Sequence, residues 1–161
     1  MNIIMKIHNK LYNLSKIKFI FAILALTYLA LIPLIPIHIL YENHIGPMGG
    51  FQENNKIICF LAVVIIAPIL ETLIHQCGVI ALFSNIGKFK DKKLVLIIIS
   101  AITFGLGHFY SAIYILDTFI IGILLAYSFI VYEHKGQSGF LVTAIIHSLR
   151  NLIAFLATLA L

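Results

Sequence analysis

Charge is scarce in this chain of 161 residues: Asp, Glu, Lys and Arg together make up 11%, as 6 acidic and 11 basic side chains. Soluble domains carry about a quarter charged residues, and disordered chains combine high net charge with low hydrophobicity, so both classes are excluded. Cysteine is nearly absent. Cys59 and Cys77 lie in one apolar run, several helical turns apart and unable to bridge each other, which excludes a disulfide scaffold. The net charge of +5 comes with no basic stripe interleaved with aromatics, so nucleic acid is not an expected partner. Internal repeats and low-complexity segments are lacking too.

Apolar length is what the chain has. Hydrophobic residues make up 61% of it, and most fall in four runs: Phe19 to Tyr41, Ile57 to Phe83, Leu94 to Tyr132 and Phe140 to Leu161. Each exceeds the roughly 20 residues a helix needs to cross a bilayer. The first run follows lysines, as in a signal peptide, but it is longer than the ~7–15 residues of a signal core and no small-x-small site closes it. It reads as an uncleaved anchor. The third run, 39 residues, is about 58 Å as a single helix at 1.5 Å per residue, too long for one crossing. The expected break is near Gly107 to Ser111, giving short third and fourth spans. Pro33 and Pro36 are expected to kink the first span or end it early. The fold class is therefore all-α: a polytopic transmembrane bundle of about five spans. Residues 1–18 form a basic lead, expected as an interfacial helix, and residues 19–161 form a single transmembrane domain.

Lysine placement orients the bundle. Lys6, Lys10, Lys16, Lys18, Lys88, Lys90, Lys92, Lys93 and Lys135 fall on one side of the predicted spans, and Lys56 alone on the other. The positive-inside bias then predicts a cytoplasmic N-terminus and a C-terminus outside. The protein is expected as an integral, multi-pass protein of the cytoplasmic membrane, with the lipid bilayer as its surroundings.

Ionisable side chains inside spans are costly and mark function by default. Those present are Glu71, His75, His108, Asp117, His147 and Arg150, with the polar Asn151 beside them. A carboxylate withdrawn from water holds a proton more tightly, which suits Glu71 to act as a general base near neutral pH. The plainer role for Glu71 is a helix-bridging pair with Arg150. His75 follows Glu71 by one turn, and Thr72 and Gln76 extend that polar stripe. His147 and Asn151 are spaced i, i+4 on one face and supply donors of the kind an oxyanion site requires; otherwise they join helices. His108 ends Phe104-Gly105-Leu106-Gly107-His108, where the glycines permit a close neighbour. Asp117 and Arg150 are expected to be structural partners or snorkelling groups, and His38 to be interfacial.

A Glu-bearing helix, then Phe-x-x-x-His, then His-x-x-x-Asn, in that order, resembles the CPBP family of intramembrane proteases, also called the Abi or type II CAAX prenyl endopeptidase family. Its first motif, Glu-Glu-x-x-x-Arg after a proline, is matched by Pro68 and Glu71, with Thr72 at the second glutamate and Gln76 at the arginine. The second motif is met by Phe104 and His108, the third by His147 and Asn151. The resemblance covers residues 57–161 and implies an intramembrane endopeptidase acting on a membrane-associated peptide or protein. Glu71 with His108 would activate water, and His147 with Asn151 would stabilise the oxyanion. No cofactor is implied by that scheme. A Zn²⁺ site built from Glu71, His75, His108 and His147 is the metal-dependent alternative, although no His-Glu-x-x-His occurs. A non-catalytic membrane partner, such as a bacteriocin-immunity or regulatory protein, is the alternative of another class. A transporter fits poorly without inverted repeats.

Overall fold

The computed structural model describes residues 3–160. Met1, Asn2 and Leu161, the extremes of the expected lead and of the last apolar run, lie outside the described residues. Among those described there is no strand. Helix α1 (Ile3–Tyr12) is followed by α2 (Lys16–His44), α3 (Lys56–Ser84), α4 (Lys93–Leu106), α5 (Ala112–His134) and α6 (Gly139–Ala160). Large apolar side chains such as Phe21, Leu73, Leu82 and Leu156 face outward. Lipid permits that arrangement, because helices already satisfy their backbone groups internally.

Sequence punctuation explains the boundaries. At Pro33 and Pro36 the α2 helix tightens into a 3-10 turn over Ile32–Leu34 and then resumes, since proline removes an N–H from the α pattern. Gly46, Gly49 and Gly50 all take positive φ in the following loop. Asn55 Oδ1 then accepts from the N–H groups of Ile57 and Ile58 and opens α3. The long third run breaks between Leu106 and Ala112, with Ser111 capping α5 by accepting from Tyr114 N. Helices α2, α3, α5 and α6 are long and apolar enough to span a membrane. Helix α4, with 14 residues, reaches only about 21 Å at 1.5 Å per residue, short of the ~30 Å core. About five spans are thus realised as four full-length helices and one shorter one.

Close approach of α4 and α5 fixes the depth of that short helix. A Cβ on Gly105 would sit 3.0 Å from the Ile115 carbonyl oxygen and 3.0 Å from Phe119 Cβ; one on Gly122 would sit 3.1 Å from Ala101 Cα. Small residues of this kind let helix backbones approach in membranes. The core around this hairpin contains Phe19, Ile23, Phe104, Leu125, Tyr132 and Ile146.

The two ends of the bundle differ. At one end Lys90, Lys93, Glu133 and His134 line a cavity of about 370 Å³, and α1 docks on α5 through His8 Nδ1 and Tyr127 OH, 3.0 Å apart. Lys135 lies over the rings of Tyr12, Phe19 and Tyr132 there. The opposite end carries the 45–55 loop. Because α4 and α5 form a hairpin, the chain returns to its starting side whether or not α4 crosses fully. A reporter fused after Leu161 is therefore expected on the extracytoplasmic side. A cytoplasmic signal would contradict this orientation.

Candidate active site

Helix α3 holds Glu71 between two stretches of π-helix, Leu61–Ile66 and Thr72–Gly78. Such wide turns occur often at functional sites, and here each releases a backbone carbonyl. In the first, Ala67 N–H bonds to Ala62 O, while residue 68, the next donor in line for Val63 O, is a proline without an N–H. Asn151 Nδ2 on α6 takes that carbonyl instead, donating at 2.8 Å. In the second, Val79 N–H goes to Ile74 O and Gln76 O, passing over His75 O, which accepts from Ser100 Oγ on α4 at 2.8 Å. The π turns thereby tie α3 to α6 and to α4 on either side of the glutamate.

Three of the expected residues converge. Glu71 Oε2 lies 3.5 Å from His108 Nε2 and 3.6 Å from His147 Nε2, bringing α3, the α4–α5 turn and α6 to one point. The end of α4 sets His108. His108 N–H bonds to Gly105 O rather than to Phe104 O, four residues back, and the freed Phe104 carbonyl accepts from His108 Nδ1 at 2.8 Å. With its proton on Nδ1, a neutral His108 presents Nε2 as an acceptor toward Glu71. Two acceptors facing each other need a proton or a water between them. The Phe104 ring, 1% exposed, stands among three imidazoles, with centroid distances of 5.6 Å to His75, 4.7 Å to His108 and 5.4 Å to His147.

A cavity of about 450 Å³ reaches this point from the end with the 45–55 loop. Glu71, His108, Tyr110, Tyr114, Arg150 and Asn151 line it, with Gly49, Gly50 and Phe51 at the loop. His147, 3% exposed, is buried behind Glu71 and does not line the cavity.

His75, Asp117 and His38 are engaged elsewhere. His75 Nδ1 donates to Thr103 Oγ1 at 3.2 Å, because the Thr103 hydroxyl proton is already given to Ser100 O. His75 therefore joins α3 to α4 and is not gathered around Glu71. Among the described residues no group of three or more His, Cys, Asp or Glu side chains is placed to hold a metal ion. The expected Asp117–Arg150 partnership is not formed. Asp117 Oδ1 instead meets His38 Nε2 at 3.0 Å, since α2 brings that imidazole to α5. His38 is correspondingly part-buried. Glu71 likewise makes no ion pair with Arg150 among the described residues. Tyr110, Tyr114 and Arg150 belong to the cavity wall without having been singled out for it by sequence; the tyrosines sit in the short α4–α5 turn and its first helical turn, the only local signal available.

Thr72 and Gln76 are fully buried and one turn apart on α3, at the positions where the motif carries opposite charges. Both positions are uncharged in this chain. Thr72→Glu alone should bury an unpaired carboxylate and destabilise the protein by about 3–5 kcal/mol, the cost of leaving a buried ion without its partner. Adding Gln76→Arg should recover much of that loss, as read by thermal unfolding in detergent. A double variant no more stable than Thr72→Glu would show that the two positions are not coupled.

A family model described as type II CAAX prenyl endopeptidase Rce1-like matches residues 53–153, from just before α3 to just past Asn151. No curated protein and no solved structure matches the chain. The matched stretch takes in well over half of the sequence and all three elements that meet at Glu71, so this multi-pass membrane protein belongs to the Rce1-like family of CAAX-type intramembrane proteases.

Proposed function

We propose that the protein hydrolyses a peptide bond of a membrane-associated substrate with a water activated by Glu71. The observation that carries this reading is the approach of Glu71 Oε2 to two imidazole nitrogens, at 3.5 and 3.6 Å, on the wall of a cavity. A water held between Glu71 and His108 gives its proton to the carboxylate as its oxygen attacks the substrate carbonyl. His108 Nε2, fixed by the Phe104 carbonyl, then takes that proton from Glu71 and delivers it to the leaving nitrogen as the C–N bond breaks, which returns Glu71 to its carboxylate. Asn151 has two N–H groups on Nδ2. One holds Val63 O, and the other remains for the oxyanion.

His147 is better suited to positioning than to the oxyanion, because it is buried behind Glu71 and away from the cavity. It orients the carboxylate from the side opposite the substrate. This departs from the His147–Asn151 oxyanion pair that the motif implies.

Three protein groups supply the chemistry in this scheme, so no metal is required. Purified protein in proteoliposomes, given membrane-anchored peptides, is expected to release products identifiable by mass and to keep doing so after treatment with a chelator. Inhibition by the chelator that Zn²⁺ reverses would replace this scheme with the metal-dependent one. No release from any peptide set would favour the non-catalytic partner.

A further inference from the structure

Among the described residues Arg150 is the one arginine or lysine on the wall of the cavity, and it is in contact with no acid. Among the described residues no carboxylate lies within 4.0 Å of its guanidinium, and its Nε is buried without a hydrogen-bond partner. The two acids nearest in the fold face imidazoles instead: Asp117 meets His38, and Glu71 lies against His108 and His147. The side chain is nevertheless held in place. Its Cζ lies 5.5 Å from the centroid of the Tyr28 ring, and the Tyr28 hydroxyl donates to the Arg150 backbone carbonyl at 2.8 Å.

A guanidinium held in a membrane cavity without a partner is costly unless an anion completes it. Its planar fork of donors matches a carboxylate in two parallel hydrogen bonds. Arg150 precedes Asn151 on α6, so an anion bound there would sit beside the peptide bond presented to Glu71. We infer that Arg150 is a specificity residue that binds a carboxylate of the substrate peptide, either its C-terminal carboxylate or an acidic side chain close to the cleaved bond. The inference rests on the proteolytic reading for its substrate class, but its test does not depend on hydrolysis.

Binding would be measured on the full chain carrying Glu71→Gln, to prevent turnover, in phosphatidylcholine nanodiscs that offer no anionic lipid. The probes are an N-lauroyl tetrapeptide of alanine and leucine as the free acid, the same peptide as its amide, and an amide with one leucine replaced by glutamate. At least one carboxylate-bearing peptide should bind about 10- to 100-fold more tightly than the plain amide, as expected for a charge-assisted hydrogen-bonded pair. Preference for the free acid alone assigns the chain terminus, and preference for the glutamate peptide assigns the side chain. Arg150→Gln should abolish the preference and Arg150→Lys should keep part of it. Equal binding of all three peptides to the protein with Arg150 intact would overturn the inference even if Arg150→Gln fails to fold, and so would a preference that survives Arg150→Gln. Cleavage by the unsubstituted protein without any such preference would leave the protease reading standing and remove only this one.

Discussion

Glu71→Gln is expected to lower peptide hydrolysis by at least about 100-fold, the low end for losing a general base. The substitution keeps the shape of the side chain and its capacity for hydrogen bonding but removes the proton acceptor. Binding should survive, so the loss should fall on kcat more than on KM. The helix itself should be unaffected, since Gln and Glu have similar helix preferences. A Gln amide can also donate to His108 Nε2, the nitrogen that the Phe104 carbonyl leaves as an acceptor. Thermal unfolding in detergent should therefore change little. His147→Gln tests the positioning role beside it: kcat should fall while KM stays near its starting value. Full biological function in both variants would instead identify a binding or immunity protein in which these residues serve only to hold helices together.

Asn151→Ala should reduce hydrolysis by about 10²–10³-fold if its free N–H meets the oxyanion. Unlike Glu71→Gln, it should also destabilise the fold. The bond from Asn151 Nδ2 to Val63 O supplies the donor that Pro68 cannot, and leaving this part-buried carbonyl without a protein partner costs up to about 1–3 kcal/mol. The two effects separate in Pro68→Ala, which offers Val63 O a backbone donor again. In that background Asn151→Ala should recover stability without recovering activity. Recovery of both would assign Asn151 to helix packing alone.

Much of the bundle is legible in the sequence, because run length and charge placement are read directly against bilayer thickness. The break between α4 and α5 fell where glycine, histidine and serine interrupt the third run, and the four other boundaries follow glycine, proline or asparagine. The break also makes the span before it short, as α4 is, whereas the span after it is not short, because α5 runs on to His134 before the polar turn ends it. Glu71, His108 and His147 stood out because ionisable groups are expensive inside a span, and the same expense draws them together. Pairing was another matter. Charge alone suggested Asp117 with Arg150, but helix rotation gives Asp117 to His38, 79 positions away in sequence. The π turns were also hidden. Pro68 announces a missing donor, yet which neighbour replaces it depends on how α6 lies against α3. Hence Asn151 reads as an oxyanion donor in the sequence and is found partly committed to Val63 in the fold.

In the proposed mechanism Glu71 activates water and does not itself attack the peptide. A single turnover of unlabelled protein in H₂¹⁸O separates the two, with the oxygen of the newly formed carboxylate read by mass spectrometry. Activated water places one ¹⁸O atom in the product on the first turnover. A product free of ¹⁸O on the first turnover, with the label found in Glu71, would mean that the carboxylate had attacked directly and that Glu71 is a nucleophile, not a base.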